Sequence, residues 1–132
     1  MPYIAPGERT DWRTPKHIYE QLVPPLWDVS DRHDSTFDAL SDEWPDWWYC
    51  NPPYGREIKQ WTARMSGNGV ALLPAYTDVA WFHDYILGKC EIIFIRGRLH
   101  FDDAKQGAAF ASIFCCFGEG AKVAKSVTRR VL

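Results

Sequence analysis

The sequence predicts an α/β fold: a mostly parallel sheet with helices on its faces and an antiparallel hairpin at one edge. Three observations predict it. Short apolar runs alternate with amphipathic stretches along most of the chain, the pattern of strands joined by crossover helices. The last two apolar runs, 91–96 and 112–117, have no helical pattern between them, which allows a hairpin. At 132 residues, 46% of them apolar, the chain makes one domain with a real core.

The elements follow in order. Residues 1–11 read as an irregular arm. A helix is expected from Thr14-Pro15, with Thr14 as N-cap and Pro15 at the first helical position. Ile18, Tyr19, Leu22 and Val23 then share one face, and Pro24-Pro25 ends the helix. Leu26 to Val29 is a short strand. Residues 30–46 are polar and acidic, a loop long enough to suggest function. The run Trp47-Trp48-Tyr49-Cys50 reads as a buried strand. A helix over 56–66 carries Ile58, Trp61, Thr62 and Met65 on one side, and Ser66-Gly67-Asn68-Gly69 is a turn. Val70 to Leu73 is a strand ended by Pro74. Thr77-Asp78 caps a helix to about Leu87, with Val79, Phe82, Tyr85 and Ile86 inward. Strands follow at 91–96 and 112–117, separated by a basic loop, 97–111. The end, with Lys122, Lys125, Arg129 and Arg130, is expected to be a loosely ordered tail over 119–132.

The bulk numbers narrow the class. Net charge is −2, so binding to nucleic acid would need a local basic patch. Cys50, Cys90, Cys115 and Cys116 lack the C-x-x-C spacing of a zinc or redox site. They read as reduced core residues of a cytoplasmic protein. The N-terminus has no apolar signal-peptide core, and no apolar run is long enough to span a membrane. Asp31, His33 and Asp34 are a weak metal set, and no metal is expected.

One short string carries most of the functional information: Asn51-Pro52-Pro53-Tyr54, followed by Gly55. Two prolines fix two φ angles, remove two N–H donors and push the residues before them toward extended geometry. The string follows a buried strand, at the strand end where open α/β sheets place ligands. The Asn51 side-chain oxygen and the Pro52 carbonyl can both accept from one planar –NH2 group. Tyr54 can stack on the ring that bears it.

This loop resembles the fourth motif of amino-methyltransferases that use S-adenosylmethionine. Around it, in order, stand Asp11-Trp12-Arg13-Thr14-Pro15, Trp27-Asp28-Val29-Ser30, Asp38 to Trp44, Leu72-Leu73-Pro74-Ala75 and Ile95-Arg96-Gly97-Arg98-Leu99-His100-Phe101. Together they resemble the small phage and prophage DNA adenine methyltransferases of the Dam type, over roughly residues 11–118. The resemblance implies a reduced Rossmann-like methyltransferase sheet. It implies methyl transfer from S-adenosylmethionine to the 6-amino group of adenine in DNA, with the target base flipped out. Asn51, Pro52, Pro53 and Tyr54 match the catalytic loop. Thr14, Pro15, Asp28 and Asp38 match cofactor-side positions. Arg96, Arg98 and Lys105 fall in the family's basic loop, and with Arg56 they are the candidate DNA contacts. A homodimer is the possible assembly for so small a domain.

The chain departs from the family in three places. It has no Gly-rich first motif, the stretch from Asp28 to Asp38 is short, and Tyr76 stands where relatives commonly have Arg. Two alternatives therefore stay open. One is a methyltransferase acting on an RNA base or a protein glutamine. The other is a degenerate methyltransferase-fold phage protein that binds nucleic acid or a host partner. Trp12 and Trp44 flank the expected site as candidates to pack on cofactor or base, and His100 lies in the basic loop.

Overall fold

The computed structural model describes residues 12–31, 36–103 and 105–131. The arm over 1–11 lies outside the described residues, as do 32–35 within the acidic loop. The chain forms an α/β fold around one open, mixed five-stranded sheet of order β1-β2-β3-β5-β4. The strands are β1 (Trp27–Asp28), β2 (Trp48–Cys50), β3 (Gly69–Pro74), β4 (Glu91–Phe94) and β5 (Ser112–Phe117). β1, β2 and β3 are parallel. β5 runs antiparallel to both β3 and β4, so it alone is reversed. The expected hairpin is therefore present at one end of the sheet, with β5 on its inner side and β4 at the edge.

Burial explains the strand assignments. Every residue of β2, β3 and β5 is buried, which matches their continuous apolar runs. β4 is only half-covered, and Phe94 is 69% exposed on the sheet edge. β1 is shorter than the run 26–29 suggests, because only Trp27 and Asp28 pair with β2. The turn that follows them is held by the Val29 N–H donating to the Tyr49 carbonyl at 2.9 Å.

Among the described residues, three α-helices complete the fold: α1 (Lys16–Leu22), α2 (Ile58–Thr62) and α3 (Gly120–Val131). α1 buries Ile18 and Leu22 and packs against α3. α3 also packs on β5 and β3, burying Ala124 and Val127. The tail expected to be loose is thus a docked helix. Its apolar residues recur at helical spacing, and the basic residues that masked the pattern lie between them. α2 is much shorter than 56–66, ending where Ala63 and Arg64 enter a turn. The stretch expected as a helix to Leu87 widens into a π-helical turn, Phe82–Ile86. Its closing bond is the Leu87 N–H to the Phe82 carbonyl at 2.8 Å. Tyr85 points outward there, 39% exposed, rather than into the core. Pro15, not Thr14, occupies the N-cap of α1, and no side chain caps it.

The first turn of α3 sits directly on the start of β3. A Cβ on Gly120 would lie 2.1 Å from the Gly69 carbonyl oxygen, and one on Gly69 would lie 2.2 Å from the Trp48 ring. Both contacts need a bare Cα. Gly120→Ala is expected to lower stability by about 1–3 kcal/mol, the usual cost of overpacking. Urea unfolding checks it. A variant as stable as the parent chain would show that the start of α3 can shift freely.

Candidate functional site at the carboxyl ends of the parallel strands

Because β1, β2 and β3 are parallel, their carboxyl ends lie along one edge of the sheet. Asp28 ends β1, Asn51 follows β2, and Ala75-Tyr76 follow β3. This is the edge where α/β sheets hold ligands. A cavity of about 360 Å3 opens there, lined by Arg13, Thr14, Lys16, Tyr19, Asp28, Ser30, Asp31 and Asn51. Its size falls within the roughly 300–1,000 Å3 of small-molecule sites. The fold brings Thr14, Asp28 and Asn51 together from three segments far apart in sequence.

Asn51 is 3% exposed. Its backbone N–H donates to Ser30 Oγ at 3.0 Å. Its side-chain Nδ2 donates to the Trp12 carbonyl and, at 3.1 Å, to Thr14 Oγ1. A carbonyl only accepts, so the Trp12 bond fixes which end of the amide is nitrogen. That leaves Asn51 Oδ1 buried and without a partner. Trp61 Nε1, Arg64 Nε and Ser112 Oγ share this state among the described residues, but none of those residues lines the cavity beside Asp28. An unsatisfied buried acceptor costs about 1–3 kcal/mol, so the site holds an acceptor that gains from an incoming donor.

Thr14 serves this amide rather than the helix. Its hydroxyl bonds Asn51 and, at 2.5 Å, the Tyr49 hydroxyl. Tyr49 is fully buried in β2, and burial raises its phenol well above the ordinary value, so it stays neutral. Pro15 is buried at the start of α1, outside the cavity lining.

Asp28 accepts from the Ser30 N–H at 2.9 Å and from Ser30 Oγ at 2.6 Å, a local turn of the kind Asp favours. The Tyr19 hydroxyl bonds it as well. Burial nevertheless holds its carboxyl above the usual carboxylate range, and Asp31 adds to the rise against the three hydrogen bonds. A carboxyl group perturbed in this way within a cavity is a candidate ligand contact.

Asp38 is placed elsewhere. It is exposed, and its carboxylate is used within its own turn by Ser41 and the Leu40 N–H, the latter at 3.0 Å, which lowers its pKa. It does not line the cavity with Asp28. The family resemblance implied a cofactor contact for it, but the acidic loop turns on itself there. Arg64 holds that loop through the Leu40 and Asp42 carbonyls.

The rest of the Asn-Pro-Pro-Tyr loop turns toward the core. Pro52 is buried and Pro53 half-buried. Tyr54 is 3% exposed, and its hydroxyl donates to the Leu72 carbonyl at 2.9 Å. Its ring meets Phe101 and Phe110 edge-on, at 6.4 and 5.6 Å between centroids. A ring used this way presents no open face, so the expected stacking on a flipped base is not the role the structure gives Tyr54. It anchors the loop. Trp12 joins the same aromatic cluster through Phe101 and Phe110. Trp44 packs on Trp48 and Trp61, away from the cavity.

Arg56, Arg96, Arg98 and Lys105 are all exposed. Gly97 turns the chain between the two arginines with a φ of +79°. The loop they border folds back onto the site: the Asp102 N–H donates to the Arg13 carbonyl at 3.0 Å, and Phe110 also meets Tyr76. The basic loop and the cavity therefore share one edge of the sheet.

All four cysteines are free, Cys90 half-buried and the others buried. Among the described residues, no three His, Cys, Asp or Glu are grouped to hold a metal ion, and no helix is long and apolar enough to cross a membrane. His33 and Asp34 lie outside the described residues. The chain matches no protein-family model, no curated protein and no solved structure.

The buried Asp28 generates a pH prediction. Its pKa is raised in the folded chain, so the fold favours its neutral form. That contribution is complete below the ordinary carboxylate value of 3.8 and is lost as pH rises through the folded value. Asp28→Asn is expected to be more stable than the parent chain at pH 7, with the difference closing in acid. Thermal melts of both proteins between pH 3 and pH 7 check this, and a difference independent of pH would contradict it.

Proposed function

We propose that the protein transfers a methyl group from S-adenosylmethionine to an exocyclic amine, the 6-amino group of adenine in DNA, on a reduced Rossmann-like methyltransferase sheet. The observation that carries this reading is Asn51 Oδ1. It is a buried, unpartnered acceptor at the carboxyl end of a parallel strand, fixed in orientation by two donated bonds and followed by two prolines. A hydrogen-bond donor is what such an acceptor lacks, and an exocyclic –NH2 group supplies one. Supporting it, the cavity beside Asn51 carries both charge signs, Asp28 and Asp31 against Arg13 and Lys16. S-adenosylmethionine likewise carries both signs, and it supplies an electrophilic methyl group.

The chain's own residues would do the rest by positioning. Asp28 and Tyr19 would hold the polar part of the cofactor. Asn51 would orient the amine with its oxygen. Because Oδ1 is covered, a donor reaches it only when a neighbouring segment moves. Arg96, Arg98, Lys105 and Arg56 would meet phosphates, since charged side chains on a turn have little packing use. A rival reading, methyl transfer to an RNA base or a protein glutamine, uses the same acceptor.

Tritiated-methyl transfer measured in parallel on DNA, RNA and protein decides among these substrates. Asn51→Ala is expected to cut turnover by roughly 10²-fold or more while calorimetry still detects cofactor binding. Near-normal turnover would remove Asn51 from catalysis. Arg98→Ala is expected to weaken DNA binding across all sequences and to lower the salt slope by about one unit. Binding isotherms that overlay those of the parent chain at every salt concentration would rule out the basic loop as the phosphate contact.

A further inference from the structure

We infer that Ser30 is a positioning residue that links the Asp28 side of the cavity to the acceptor loop at Asn51; its catalytic consequence rests on the methyl-transfer reading above. Ser30 is 7% exposed, a buried polar residue in a short chain that offers few of them. Its hydroxyl proton goes to Asp28 Oδ1 at 2.6 Å, and its backbone N–H goes to the same oxygen at 2.9 Å. The same hydroxyl oxygen accepts the Asn51 N–H at 3.0 Å. One side chain thus touches both the acid of β1 and the first residue after β2.

A serine hydroxyl has one proton and two lone pairs. While Asp28 is ionised, that proton is held by a charge-assisted bond, and a lone pair is left facing Asn51. Protonating Asp28, or occupying its oxygen with a ligand's donor, weakens that hold. The change reaches Asn51 through the shared oxygen, since consecutive hydrogen bonds polarise one another. The other groups facing Asp28 are the Tyr19 hydroxyl, Asp31 and Tyr49, with Arg13 and Lys16 on the same cavity. None of them supplies the acceptor for the Asn51 N–H, which is Ser30. Filling the cofactor side is therefore felt at the backbone of the residue whose side chain awaits the amine.

The test reads the link directly. In the isotopically labelled full chain, the Asn51 amide resonance is followed by NMR while the Asp28 carboxyl carbon is titrated with pH. In the parent chain the two are expected to move with one midpoint. In Ser30→Ala the Asn51 response is expected to collapse to the background of other loop amides, and in Ser30→Thr, which keeps the hydroxyl, to return. If Ser30→Ala does not fold, Ser30→Cys, with its weaker donor and acceptor, replaces it and is expected to give a reduced response. An Asn51 response of parental size in Ser30→Ala or Ser30→Cys overturns the link. Methyl transfer is measured on the same proteins. Ser30→Ala is expected to lose about tenfold in kcat with little change in cofactor affinity, and Ser30→Thr to recover it. Loss confined to cofactor affinity would overturn the positioning role. A parent chain that methylates no substrate refutes the methyl-transfer reading, while the Asn51 resonance still decides the link.

Discussion

Two consecutive prolines after Asn51 impose the constraint on which the site depends. Neither can donate to a sheet, so the pairing of β2 with β3 stops at Cys50, opposite Ala71. The Asn51 N–H is the last donor of the strand and must find a partner off the sheet. Leaving it buried and unpaired would cost about 1–3 kcal/mol, more than a typical hydrogen bond contributes. Ser30 meets it, and Ser30 is itself held by Asp28. The Asn51 side chain draws in Trp12 and Thr14 in the same way. Segments near residues 12–14, 28–30 and 51 are thus brought to one point by the backbone and side-chain donors of Asn51.

Stability and chemistry pull apart at Asp28. Burial disfavours its charged form, and the hydrogen bonds from Ser30 and Tyr19 offset that only in part. A site of this kind persists when the surrounding fold is strong enough to carry it. Here the buried strands β2, β3 and β5 and the docked α3 supply that strength. The aromatic group of Trp12, Tyr54, Tyr76, Phe101 and Phe110 then joins the Pro-Pro loop to the basic loop from below.

The sequence was informative where a pattern is local. Continuous apolar runs gave β2, β3 and β5, and the Pro-Pro string located the strand end that carries the site. Asp28 and Thr14 were singled out; Thr14 bonds Asn51 and Asp28 lines the same cavity, although Thr14 was assigned to a helix cap that it does not form. What escaped notice depends on long-range packing. Ser30, Tyr19 and Tyr49 became site residues only through partners 9 to 35 positions away or across the sheet. Ser30 had one readable signal, its place two residues after an Asp at a strand end. Asp38 shows the converse: the family resemblance implied a cofactor contact, and a local turn takes up its carboxylate. α3 was missed because charge was read ahead of the periodicity of Ala124 and Val127.

Tyr54 changes how the loop should be treated by anyone wishing to redirect it. Its motif position invites substitution, as the aromatic that would face a new target ring. Its hydroxyl is bound to the Leu72 carbonyl in the middle of β3, and its ring is walled by Phe101 and Phe110. The residue therefore belongs to the frame, and a combinatorial library across the loop would lose folded members whenever it varied this position. Half-buried Gly55 and exposed Arg56 are the places where diversity can be introduced without unseating the loop from the sheet.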